Sequence, residues 1–220
     1  MYFVDRFTLG KKLASSTSEL HGSDAVIVCL KDSALMTAIA LAIDIRAWIL
    51  PLLYETITDP RDETQLLGAI TPSGELCVNP TISEFELTGI MQDFFGVIED
   101  RKRVAMQRLN ARTDMYQNMI DVHAINGRSV VLVGDVITTA LELAVADELL
   151  KPLQPSQVLG MAGNVTVDVS NMLRTTTTES TVLDVIPTAI MGENHYFEQP
   201  DAYNEDEKRN LALNVSTYWA

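Results

Sequence analysis

The sequence predicts an α/β fold, a mainly parallel sheet flanked by helices, and two observations carry that expectation. Asp24–Leu30 and Ser129–Val133 are short, uninterrupted apolar runs, the pattern of strands buried on both faces. Each is followed by a polar junction and then by a segment of helical composition, the alternation that builds parallel sheets. The chain can furnish such a core: 220 residues, 47% hydrophobic and 21% charged, are ordinary globular usage, which excludes intrinsic disorder, collagen-like repeats and a disulfide scaffold. One domain over 1–220 is expected at this length.

After the first run, Ser33 is placed to cap Ala34–Trp48, whose Ala and Leu content favours helix, and Ile49–Tyr54 reads as the next strand, interrupted at Pro51. Polar Pro60–Glu63 breaks the pattern before Leu66–Ile70. The turn Pro72-Ser73-Gly74 then returns Glu75–Val78 antiparallel, a hairpin within 71–80. From Ser83 to about Met119 apolar residues such as Phe94, Ile98 and Leu109 recur between charged ones at helical spacing, with Gly89 and Gly96 as points of bending. Asn126-Gly127 turns the chain into the second run. Thr139–Leu150 follows as a helix ended by Pro152 and Pro155, then Gln157–Val167 as a strand, Val169–Leu173 as a short helix and Thr181–Ile186 as the last strand. The remainder, 187–220, is a C-terminal extension in which Glu205–Glu207 opens a solvated helix.

Lys and Arg number 16 against 30 Asp and Glu, a net charge of −14, which opposes nucleic acid and anionic membrane surfaces as partners. Cys29 and Cys77 sit in apolar stretches and read as reduced thiols of a cytoplasmic protein. Met1–Ala14 lacks the pattern of a secretory signal, and the most apolar stretch, Ala34–Leu53, holds Asp44, Arg46 and Pro51, unlike a membrane span. His21, His123 and His195 show no metal-binding spacing, so no metal site is expected of them. Arg101-Lys102-Arg103, with Arg108 and Arg112, forms a basic stripe suited to acids on its own helix or on a neighbouring subunit. Phe94-Phe95 and Met115-Tyr116 suit core or dimer contacts.

Ligands of open α/β sheets bind beyond the carboxyl ends of the strands, where strand order switches, so the junctions Leu30–Ser33 and Gly134–Glu142 are the candidate site. The second junction follows the clearest strand and opens a helix, so its amides and the helix dipole suit an anion. Gly134-Asp135-Val136-Ile137-Thr138-Thr139-Ala140-Leu141-Glu142 resembles the phosphoribosyl-pyrophosphate loop of type I phosphoribosyltransferases, usually Asp-Asp-Gly-Ile-Ala-Thr-Gly-Ala-Thr. Phe3–Ala14 resembles that family's opening segment, Asp59-Pro60…Glu63…Leu67–Ile70 a stretch of one branch, and His195–Gln199 with Asp206-Glu207 that branch's tail.

The resemblance implies a type I phosphoribosyltransferase-like fold with a small hood at the hairpin. It implies transfer of ribose 5-phosphate from phosphoribosyl pyrophosphate, with Mg²⁺, to an acceptor the sequence does not name. The implied partner is a small sugar phosphate or nucleotide, and the implied assembly a homodimer or hetero-oligomer. By the same resemblance Asp135 is the catalytic acid, on the ribose hydroxyls. Ile137, Thr138, Thr139 and Ala140 surround the 5-phosphate, Lys31, Asp32 and Ser33 meet the pyrophosphate, and Glu142 stands where a phosphate-binding Thr is usual.

The departures from the family share one direction. Gly134 replaces the first acid, Val136 and Ala140 replace glycines, and Lys31-Asp32-Ser33 replaces an Arg-Gly-Gly turn. Tyr54-Glu55-Thr56 stands where the branch carries Arg-Lys. A carboxylate at Glu142 repels a phosphate dianion by about 4 kcal/mol per unit-charge pair at 4 Å and an effective permittivity near 20. Glu142 also completes a capping box with Thr139, and Asp135 is equally a turn residue. Two functions therefore stand: a divergent phosphoribosyltransferase, and a non-catalytic binding or assembly subunit on the same fold.

Overall fold

Ala25–Cys29 (β1) and Ser129–Ile137 (β6) lie side by side and parallel at the centre of a sheet, buried in all but Ser129, as the apolar runs Ala25–Cys29 and Val130–Val133 require. The computed structural model describes residues 1–17, 20, 24–119, 121–188 and 192–219. Its chain order is α1 (Arg6–Ala14), β1, α2 (Leu35–Ile45), β2 (Trp48–Pro51), β3 (Glu55–Asp59), β4 (Asp62–Ile70), β5 (Leu76–Val78) and α3 (Glu84–Tyr116). Then follow β6, α4 (Leu141–Leu150), β7 (Gln157–Thr166), α5 (Val167–Thr176), β8 (Glu179–Ile186) and α6 (Glu205–Trp219).

Five strands form one parallel sheet in the order β2-β1-β6-β7-β8, with Ile27 opposite both Ile49 and Val131. The chain therefore steps outward from β1 to β2 on one side and from β6 to β8 on the other. The switch lies between β1 and β6, and a crevice opens beyond their carboxyl ends. Helices α1, α2 and α6 bury one face through Leu9, Leu13, Ile39, Leu41 and Ala212. Helices α4 and α5 bury the other through Leu143, Val145, Val169 and Leu173. A smaller antiparallel sheet, β3-β4-β5, packs Ile57 and Leu67 beneath Ile90, Ile98 and Leu109 of α3. The C-terminal extension folds back on the parallel sheet, where the Ser216 hydroxyl accepts from the Ile49 amide at 3.1 Å.

Several boundaries differ from the sequence reading for local reasons. Helix α2 begins after a 3-10 turn, Asp32–Ala34, and no Ser33 side-chain cap forms. It stops at Ile45 because Arg46 turns left-handed (φ 61°), which frees Trp48 to start β2. The break in α3 falls at Phe94 (φ −124°, ψ 20°) instead of at Gly89 or Gly96. Strand β3 is absent from the sequence reading; alternating Thr56, Ile57 and Thr58 half-bury it as the edge of the small sheet. Among the described residues no helix is long and apolar enough to cross a membrane, and both cysteines are buried free thiols.

Candidate functional site

The crevice is assembled by the N-terminal segment. Phe3 bridges Phe197 in parallel, its amide donating to Tyr196 O at 2.9 Å and its carbonyl accepting from Glu198 N at 2.9 Å. Asp5 then caps α1, accepting from the Thr8 amide at 2.6 Å. At Gly10 the helix presses on α2 so closely that a Cβ would lie 2.3 Å from Thr37 O. Thr37 in turn donates its hydroxyl to Arg6 O at 3.1 Å. These contacts aim Arg6, the first residue of α1, across the end of β6.

Arg6 Nε donates to Asp135 Oδ2 at 2.6 Å, and both side chains are almost wholly buried. A second Arg6 nitrogen donates to Asn194 Oδ1 at 2.8 Å, the third faces Asp201 at 3.4 Å, and the guanidinium lies 4.3 Å over the Phe197 ring. The other Asp135 oxygen accepts from the Val136 amide at 2.7 Å and faces the Ser33 hydroxyl at 3.5 Å. Burial acts to lower the Arg6 pKa, but Asp135 and then Asp201 outweigh it and hold the guanidinium charged. Asp135 can sit this deep because β7 carries Gly163 beside it, where a Cβ would stand 2.6 Å from Asp135 O.

The two candidate loops meet at Lys31. Its ammonium lies 2.9 Å from Glu142 Oε1 and 2.7 Å from Glu193 Oε1. Burial acts to lower the Lys31 pKa, yet Glu142 and Glu193 together raise it. Glu142 Oε2 accepts from the Thr139 hydroxyl at 2.7 Å, and Thr139 Oγ1 accepts from the Leu141 amide at 3.3 Å. The expected capping box is thus displaced by one residue: α4 starts at Leu141 behind Ala140, without the reciprocal Thr139–Glu142 backbone bonds. The amides of Thr138, Thr139 and Ala140 make no hydrogen bond among the described residues. Ile137 is buried and folds back over Gly134, where a Cβ would meet its Cγ1 at 2.5 Å.

Asp32 turns away from this cluster toward α3. Arg112 holds it through two nitrogens, at 2.9 and 3.1 Å, and the Tyr116 hydroxyl donates to it at 3.0 Å. Lys31, Thr139 and Glu142 therefore share one polar cluster with Glu193, Ser33 and Asp135 share a second with Arg6, and the Asp32 carboxylate belongs to a third. Arg6, Glu193, Asn194, Asp201 and Lys208 are not singled out by the sequence. Arg6 lies within the quoted opening segment and Glu193-Asn194 just before the quoted tail, but pairing across more than a hundred residues leaves no local signal. A crevice of about 570 Å³ adjoins the Arg6 cluster, lined by Arg6, Asp32, Ser33, Asn194, Asp201 and Lys208 among others. Among the described residues no three His, Cys, Asp or Glu side chains gather to hold a metal ion. His21 lies outside the described residues.

No family model matches the chain, and no curated protein matches it. Among solved structures it is similar to TT1426 from Thermus thermophilus, with 20% identity, a TM-score of 0.75, and 98% of this chain and 100% of that one covered. The two chains share a fold. A hypothetical protein from Neisseria gonorrhoeae with bound ppGpp aligns at 12% identity and TM-score 0.46, over 96% of this chain and 94% of that one. A hypoxanthine-guanine phosphoribosyltransferase from Bacillus anthracis aligns at 14% identity and TM-score 0.44, over 85% of this chain and 84% of that one.

Proposed function

We propose that the chain is a phosphoribosyltransferase-fold binding or assembly subunit in which ribose 5-phosphate transfer is silenced. One observation carries this reading: the ammonium of Lys31, the cation of the first loop, is held by Glu142, the carboxylate of the second. Glu193 holds it from a third direction, Arg6 has all three nitrogens facing protein oxygens, and Lys208, equally buried, is held by Asp201 and Glu205. A sugar pyrophosphate entering the crevice meets acids where it needs donors, and each unit-charge repulsion near 4 Å is worth about 4 kcal/mol. Mg²⁺ belongs to this reading only as a companion of the ligand, because the described residues gather no metal site and Asp135 is committed to Arg6.

Titration with phosphoribosyl pyrophosphate and Mg²⁺ by calorimetry tests it. No heat at millimolar ligand is the expected result. Micromolar binding of the intact sugar pyrophosphate would overturn it.

The unbonded amides of Thr138, Thr139 and Ala140 favour the enzyme as a second reading, because free donors at a helix start are the part of an anion site that backbone alone supplies. In that reading Glu142 swings aside, these amides hold the 5-phosphate of a sugar phosphate or nucleotide, Lys31 meets the pyrophosphate and Asp135 the ribose hydroxyls. The same titration separates the two.

A further inference from the structure

We infer that the chain carries a second binding site, for a small amphiphile with an apolar body and a cationic amine end, in the cleft between the end of β2, the β4–β5 turn and α4. The inference is independent of what the crevice binds, because the two cavities share no lining residue among the described ones. The cleft measures about 500 Å³, within the range of small-molecule pockets. Leu50, Leu52 and Val145 form its floor, none more than 4% exposed, and Leu149 and Leu153 wall it. Pro51, Pro72 and Pro152 border it from three separate segments with fixed φ angles, so the walls resist collapse onto the gap. An apolar cleft holds water poorly and leaves its lining atoms short of contacts, which an apolar guest restores.

Charge at the mouth selects the guest. The hydroxyls that line the cleft are already engaged: Thr71 and Ser73 bond to each other at 2.8 Å, and Thr113 donates to Leu109 O at 2.8 Å. The charged lining residues are Glu75 and Glu148, both exposed. Glu148 accepts from the buried Cys77 thiol, a weak donor that anchors the carboxylate without neutralising it. Glu75 has neither a side-chain hydrogen bond nor an ion pair among the described residues. Lys151, the cation whose charge also reaches Glu148, is paired with Asp147 at 2.8 Å. Acids at the mouth of an apolar hole favour a protonated amine and disfavour a carboxylate or phosphate, so this guest is opposite in sign to a sugar phosphate.

Naphthylethylamine and its neutral isostere naphthylethanol are suitable probes. Titration of each into the full chain, followed by methyl NMR, reads affinity and location together. The amine should bind with a dissociation constant on the order of 0.1–1 mM and about three- to tenfold tighter than the alcohol, exposed ion pairs being weak. Shifts should centre on the methyls of Leu52, Val145 and Leu149. Glu75→Gln combined with Glu148→Gln, both at exposed positions, should erase the amine's advantage and leave the alcohol's affinity within about twofold. Leu149→Trp should fill the cleft and weaken both probes by about tenfold or more, with circular dichroism checking that the fold persists. Excess inorganic phosphate should displace neither probe. No saturable binding at about 5 mM, equal affinity for the two probes, an amine preference that survives the double Gln variant, methyl shifts centred elsewhere, or displacement by phosphate would each overturn the inference.

Discussion

Lys31 Nζ lies 2.9 Å from Glu142 Oε1, an ion pair that joins the loop after β1 to the head of α4. Its partners differ in burial: Lys31 is 19% exposed and Glu142 only 6%. The carboxylate thus gives up more hydration than the ammonium, and the Thr139 hydroxyl replaces part of that hydration. Glu142→Thr removes the charge that repels phosphate and leaves Lys31 with Glu193. Affinity for inorganic phosphate should rise by about tenfold or more, each tenfold being about 1.4 kcal/mol. Calorimetric titration of wild type and variant checks this; equal affinities would show that Glu142 does not guard the cradle.

Arg6 and Asp135 form the deepest ion pair, and removing either partner strands the other. Asp135→Ala should cost about 3–5 kcal/mol of unfolding free energy, as should Arg6→Ala. Asn194 and Asp201 soften the loss when Asp135 is the residue removed, since both still face the guanidinium. The double variant should cost clearly less than the sum, the mark of a direct pair. Urea unfolding of the four proteins measures the coupling, and strict additivity would contradict it.

The parallel sheet was legible because β1 and β6 advertise their burial with unbroken apolar runs, but β6 runs on through Gly134–Ile137, so only Thr138–Ala140 of the expected Gly134–Glu142 junction is loop. Element edges were less so. Arg46 ends α2 by adopting a left-handed conformation that no glycine announces, and the alternation of β3 spans only Thr56 to Thr58, too short to mark a strand without its pairing to β4. The candidate site was half legible. Lys31 and Glu142 were visible as residues, but their mutual neutralisation depends on the close approach of two loops separated by β2 to β6. Asp32, at the edge of the crevice, is held by Arg112 and Tyr116 on a helix whose distance from it the sequence does not encode.

Gly134 shows why placing an acid at this position is not enough to rebuild the loop it resembles. A Cβ there would stand 2.5 Å from Ile137 Cγ1 and 2.6 Å from its Cδ1. Gly134→Asp alone should therefore destabilise by about 1–3 kcal/mol through overpacking. Combining it with Ile137→Ala clears the clash, though the methylenes lost from a buried Ile carry their own cost. The double variant should accordingly be more stable than the sum of the singles predicts, by about 1 kcal/mol or more. Gly163→Ala has no such rescue, since its obstacle is the Asp135 carbonyl oxygen at 2.6 Å. Thermal unfolding of these variants separates a side-chain clash from a backbone one.

Alkaline pH should unfold the protein before its surface charge alone would. Burial, and then Glu148, push the Cys77 thiol from 9.0 up to about 12. Burial likewise raises Cys29, Tyr54 and Tyr116. The folded chain therefore keeps a proton at Cys77 that the unfolded chain has lost, so stability is whole below pH 9 and falls as pH climbs from 9 toward about 12. Melting temperature measured across that window should drop continuously, and Cys77→Ala should flatten part of the slope. Alkylation gives an independent reading: near pH 8 both buried thiols should resist iodoacetamide in the native chain and react once urea unfolds it. Rapid native-state alkylation of Cys77 would place that thiol in water and remove its share of the alkaline slope.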